Sequence, residues 1–85
     1  MKKYQLAFHP RVKKHLSKIP EKWQGKIEAA LQTIAENPYL GKKLKGKHAG
    51  DYTYRVWPYR IIYEIYREEI IVYIIDITHR GGIYK

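Results

Sequence analysis

No cysteine occurs among the 85 residues. Disulfides, thiolate metal ligands and thiol nucleophiles are thereby excluded, and a reducing cytoplasm is the expected compartment. Long apolar runs are also missing. The longest unbroken one is Ile70–Ile75, far short of the roughly 20 residues that a membrane-spanning helix needs. Met1–Pro10 begins with lysines but has no apolar stretch of signal-peptide length, so no membrane partner is expected. There is no Gly-rich phosphate loop between a strand and a helix and no His-Glu-x-x-His; His9, His15 and His48 have no metal-site spacing. Neither that kind of nucleotide binding nor a metal centre or cofactor is expected. Acids are scarce as well: 8 Asp and Glu stand against 17 Lys and Arg, a net charge of +9.

That excess is uneven. Residues 1–50 hold 12 Lys and Arg against 3 Asp and Glu, whereas residues 51–85 hold 5 of each. Lys42, Lys43, Lys45 and Lys47 follow one another with no acid between Pro38 and Gly50. A field of this sign suits a polyanion, and these four lysines are its expected contacts.

The apolar pattern divides the chain into elements. Tyr4 to Phe8 alternates as a short strand with one buried face would. Pro10 suits the start of a helix with the stripe Val12, Leu16 and Ile19. Pro20 ends it and opens a second helix with the stripe Trp23, Ile27, Ala30, Leu31 and Ile34, stopped by Asn37-Pro38. Residues Tyr39 to Gly50 read as a Gly- and Lys-rich connection without structure of its own. Three strands follow. The first carries Tyr52, Tyr54 and Val56 on one face and Thr53, Arg55 and Trp57 on the other, and it turns at Trp57-Pro58. The next spans about Tyr59 to Tyr66. The last, Ile70 to Ile77, is nearly all β-branched and reads as a central strand covered on both faces. The expected architecture is a single α+β domain over residues 1–85, in the order β-α-α-β-β-β, with a helical hairpin on one face of a mostly antiparallel sheet.

Three of the strand-borne cations draw notice. Arg55 and Arg60 fall on neighbouring strands beside one turn, so their planar donor forks stand close on one face, where an anion would relieve their repulsion. Arg80 follows His79 at the end of the last strand, and Tyr84 lies beyond Gly81-Gly82. A histidine and a phenol beside guanidinium groups can move protons at a phosphodiester that the cations neutralise. The blander readings are an arginine paired with Glu64 or Asp51 and a tyrosine buried in a core; with nine tyrosines in the chain, the second is strong for any one of them.

Leu44-Lys45-Gly46, Tyr52-Thr53-Tyr54-Arg55-Val56, Tyr59-Arg60-Ile61-Ile62-Tyr63-Glu64-Ile65, His79-Arg80 and the C-terminal Tyr84 together resemble the RelE/ParE superfamily of bacterial and archaeal toxins. The resemblance covers nearly the whole chain. The RelE branch, favoured here, implies a small basic toxin of a type II toxin–antitoxin system that cuts mRNA in the ribosome without a metal and is held inactive by an acidic antitoxin. The ParE branch implies instead a non-nucleolytic toxin of DNA gyrase, and an inactive relative that only binds its antitoxin is the third option. Carried over residue by residue, the resemblance implies that Arg60 stabilises the phosphate, Arg80 assists the leaving group, Tyr84 acts as base and Arg55 is a basic residue of its strand. Two positions depart from the RelE pattern: Thr53 stands where a lysine is usual, and the span from Arg80 to Tyr84 is short. Both His79 and Tyr84 therefore stand as candidates for proton transfer.

Overall fold

The computed structural model describes residues 3–46 and 49–79. Lys47, Arg80 and Tyr84, three of the expected site residues, lie outside them. Strand β1 (Gln5–Phe8) leads into helix α1 (Pro10–Ser17), helix α2 (Glu21–Glu36) and a 3-10 turn over Pro38–Leu40. Strands β2 (Lys42–Lys43), β3 (Tyr52–Val56), β4 (Tyr59–Tyr66) and β5 (Ile71–His79) follow. The five strands form one sheet in the order β1-β5-β4-β3-β2. Only the β1–β5 pair is parallel; the other three are antiparallel. The helices cover one face, as the α+β reading requires.

Local chemistry accounts for the helix ends. Pro10 occupies the first turn of α1, where its missing N–H is no loss. His9 caps that helix: its Nδ1 accepts from the Arg11 backbone N–H at 3.1 Å. The two helices are joined with almost no loop, and Gln24 closes the joint by donating Nε2 to the carbonyl of Ile19 at 2.9 Å. A carbonyl that helix termination leaves open is thereby satisfied. Both stripes land in the core. Val12 and Ile19 come from the first helix segment and Ile27, Ala30, Leu31 and Ile34 from the second; all pack with Tyr59, Ile61, Tyr63, Val72, Ile74 and Ile77 of the sheet.

Four expectations change. The connection Tyr39–Gly50 is not structureless: it contains the 3-10 turn and the edge strand β2, paired to β3 through Lys42↔Thr53 and Lys43↔Tyr52. Strand β5 begins at Ile71, not Ile70, because Ile70 adopts φ 57 in the turn from β4, a conformation that a β-branched residue enters only when its surroundings impose it. Its backbone carbonyl there accepts the Gln5 N–H at 3.0 Å and so starts the β1–β5 pairing. Strand β5 is central but covered fully on one face only: Val72 and Ile74 are buried, while Ile71, Tyr73 and Ile75 on the alternate face are half-buried. Phe8, expected on the buried face of β1, is 48% exposed.

Candidate functional site

The sheet face opposite the helices carries the cations. Arg55 and Arg60 are direct cross-strand partners in the β3–β4 ladder. Directly opposed side chains in an antiparallel pair have Cβ atoms about 4.5–5.5 Å apart, and like charges there are destabilising. Both residues are exposed. Among the described residues the ion pairs all centre on Asp76, and neither arginine takes part in one. The pairing with Glu64 is absent: Glu64 accepts the Tyr66 hydroxyl at 2.8 Å instead. Four residues along β4 separate it from Arg60, about 13 Å at the rise of a strand.

Strand β2 brings a third cation to the same place. Because Lys42 pairs with Thr53, it falls on the face that Thr53 shares with Arg55. Lys42, Thr53, Arg55 and Arg60 line one open cleft of about 510 Å³ together with Leu40, Gly41, Leu44 and Tyr54. Thr53 contributes a buried Oγ1 that has no hydrogen-bond partner among the described residues. Lys43 is exposed and pairs with Tyr52, so it falls on the other face of β2, and Lys45 is exposed beyond the strand's end.

The position of β2 depends on a tyrosine of the core. Tyr63 is fully buried, and its hydroxyl donates to the Pro38 carbonyl at 2.6 Å. Burial pushes its phenol up to about 12, against a weaker lowering by the Gly41 backbone. The Tyr63 ring stacks on Tyr52 at 5.8 Å, and Tyr52 meets Tyr39 edge-on at 6.0 Å. Gly41 fits between this hydroxyl and β3. A Cβ at that position would run into the Tyr63 hydroxyl and stand 2.9 Å from the Thr53 carbonyl. The glycine at 41 is thus a requirement of close approach, and it sets Lys42 against Thr53.

His79 goes elsewhere. It pairs with Tyr59 and packs edge-on against that ring at 5.3 Å. Tyr59 in turn meets Trp23 of α2 at 6.5 Å, so His79 faces the helices. There it lines a smaller cleft of about 260 Å³ with His15, Lys18, Ile19, Tyr59 and Ile77. The sheet therefore brings Arg55 and Arg60 together and sets the described imidazole on its opposite face.

Sequence reasoning missed one polar cluster. Asp76 is buried, and its Oδ1 lies 2.6 Å from His15 Nδ1 and accepts the Ile77 N–H at 2.8 Å. Arg11 approaches its Oδ2 at 4.0 Å. The register slips between Ile62 and Tyr63, from Ile62↔Asp76 to Tyr63↔Ile74, which inserts one residue into β5. That bulge turns Asp76 toward α1. An acid within an otherwise β-branched run was the available signal, since a buried carboxylate needs partners.

Comparison with known proteins agrees with the fold. The profile of the family described as ParE toxin of type II toxin-antitoxin system, parDE, matches residues 6–84. Toxin RelG of Mycobacterium tuberculosis is 30% identical over 84 residues, covering 96% of this chain and 97% of the relative. In the toxin–antitoxin complex RelBE2 of Mycobacterium tuberculosis one chain superposes with a TM-score of 0.86 at 28% identity, covering 96% of this chain and 97% of that one. The isolated E. coli RelE toxin shares the fold, with a TM-score of 0.78 at 23% identity over 94% of this chain and 87% of that one.

Proposed function

Since the chain belongs to the ParE toxin family of type II toxin–antitoxin systems, we propose that it is a RelE-type toxin that cleaves mRNA on the ribosome. The observation that carries this reading is the Arg55–Arg60 pair: two exposed cations held opposite each other, with Lys42 beside them and no neutralising acid among the described residues. A phosphodiester between the two forks would remove their repulsion and accept planar, charge-assisted hydrogen bonds.

The reaction needs no cofactor. The substrate's 2′-oxygen loses its proton and attacks the adjacent phosphorus; the 5′-oxygen leaves and gains a proton. Charge builds on the phosphate oxygens between these events. Cations fixed in advance by a rigid sheet stabilise that charge without reorganising. Arg60 takes this role and Arg55 assists it. Arg80 supports the leaving oxygen and Tyr84 accepts the proton, roles carried over from the family resemblance. The packing of His79 against Tyr59 on the helix side supports Tyr84 over His79 as the proton acceptor. Lys42, Lys43, Lys45 and Lys47 hold ribosomal or messenger phosphates. A set this dispersed relies on the ribosome to orient the substrate.

The partner is an acidic antitoxin encoded beside the toxin, as the RelBE2 complex of a relative suggests. The ParE match favours a second reading, in which the same cationic face grips DNA gyrase without cutting nucleic acid. One pair of assays separates them. Primer extension on mRNA in a translation reaction should reveal new ends when the protein is added, and gyrase supercoiling should be unaffected. Intact mRNA with inhibited supercoiling would reverse the assignment.

A further inference from the structure

The helix side of the sheet has a basic surface of its own. Three of the side chains lining its cleft of about 260 Å³, His15, Lys18 and His79, carry or can take up positive charge. Asp76 Oδ1 holds His15 by Nδ1 at 2.6 Å, and the ring's Nε2 has no partner among the described residues. The cations continue along α2. Tyr59 of the cleft meets Trp23 at 6.5 Å, and the ammonium groups of Lys22 and Lys26 lie over that indole at 5.5 and 4.9 Å. Lys18, Lys22 and Lys26 recur every fourth residue, and all three are exposed. Lys22 and Lys26 stand one helical turn apart, a like-charge spacing that costs helix stability. Although Glu21 and Glu28 are close in sequence, none of the three lysines joins an ion pair among the described residues. Lysines that only solvate a helix have no reason to converge on one ring; here the indole face attracts two of them and holds them beside the cleft.

We infer that this surface binds the phosphate backbone of ribosomal RNA. The inference rests on the ribosome as the site of action, but not on the chemistry of the arginine cleft. The two clefts lie on opposite faces of the sheet, so the helix side takes a different stretch of RNA from the phosphate being cut. Its cleft is smaller than the roughly 300–1,000 Å³ of a drug-sized ligand site, which suits a phosphate group and not a whole nucleotide. Lys22 and Lys26 then meet the phosphates that follow. The surface also lacks the anchors of a protein interface, whose core is rich in aromatic residues and poor in lysine. Among the described residues the exposed large apolar side chains are Phe8, Tyr39, Leu40, Trp57 and Tyr66, none of them on α1 or α2. Contacts to the backbone carry no sequence information; they fix register and orientation. That is the help that a dispersed set of arginines needs from its ribosome.

The test is co-sedimentation with ribosomes at graded salt, followed by single-turnover cleavage over a range of toxin concentrations. Lys18→Gln/Lys26→Gln is compared with the wild type and with Lys3→Gln/Arg67→Gln, which removes the same charge at the other end of the sheet. Each phosphate contact contributes about 0.7–0.9 to the salt slope, so the first pair should lower it by about 1.4–1.8 and weaken binding roughly ten-fold at about 50 mM salt. The toxin concentration for half-maximal cleavage should rise with it, while the limiting rate and the melting temperature stay at wild-type values. Arg60→Ala should instead lose the limiting rate. Unchanged ribosome affinity and slope in Lys18→Gln/Lys26→Gln would overturn the inference. So would an equal change in Lys3→Gln/Arg67→Gln, which would reduce the effect to net charge, and so would a wild type that does not sediment with ribosomes. Weakened antitoxin binding with ribosome binding intact would overturn it by making the surface a protein contact. If the wild type leaves mRNA intact while the lysine pair still weakens ribosome binding, the ribonuclease reading falls and this surface stands.

Discussion

The two faces of this sheet use polar groups in opposite ways. On the helix side each buried polar group described above is answered: Asp76 by His15 and the Ile77 amide, the Tyr63 hydroxyl by the Pro38 carbonyl. On the open side Arg55 and Arg60 oppose each other without an acid, and the Thr53 hydroxyl has no partner among the described residues. Satisfied polar groups hold the structure together. Unsatisfied like charges cost stability, and they make sense where a ligand of opposite sign completes them. The sheet thus leaves one like-charge pair unrelieved on its open face.

The sharpest way to break that comparison is to supply the missing acid. Arg55→Glu places a carboxylate opposite Arg60 and satisfies the pair internally. Cleavage on ribosomes should fall by a hundred-fold or more, the scale of about 2.7–4 kcal/mol for losing a preorganised charge. Chemical denaturation should show stability unchanged or slightly raised, by about 0.2–1 kcal/mol. Large destabilisation would mean that the arginines have a structural role.

Changes on the helix side should do the reverse. Asp76→Ala strips the Ile77 amide and His15 of their acceptor at a buried site, and should cost about 2–3 kcal/mol in urea unfolding. Gly41→Ala forces a Cβ against the Tyr63 hydroxyl and the Thr53 carbonyl. It should cost about 1–2 kcal/mol as overpacking does, with a modest drop in cleavage because Lys42 is displaced. Tyr63→Phe leaves the Pro38 carbonyl without its donor and should cost about 1 kcal/mol. It should also alter the alkaline limb. A tyrosine titrates near 10 in an unfolded chain, whereas this one is pushed up to about 12. Its share of stability is therefore intact below pH 10 and is lost as pH rises from about 10 to 12. Denaturation midpoints across that range should fall less steeply in Tyr63→Phe than in the wild type.

Much of this was legible in the sequence. Helical spacing of Val12, Leu16 and Ile19, and of Trp23, Ile27, Ala30, Leu31 and Ile34, marked the two buried stripes, because period and burial are linked directly. The two-residue separation of Val56 from Tyr59 was enough to pair Arg55 with Arg60. The misses share a physical cause. Strand β2 is two residues long and made of lysines, so it has no apolar alternation to read; it exists because Tyr63 anchors the turn before it. The reach of Asp76 to His15 depends on a bulge, and a one-residue slip leaves no mark in the β-branched run that contains it. The facing of His79 follows from the same slip.

The central claim is that the open face holds the scissile phosphate through charges the fold itself does not need. Arg60→Ala tests it most directly, with single-turnover mRNA cleavage on programmed ribosomes and thermal unfolding measured on the same preparation. The account predicts a rate lowered about a hundred-fold or more with the melting temperature held or slightly raised. Wild-type cleavage by a stably folded Arg60→Ala protein would contradict it.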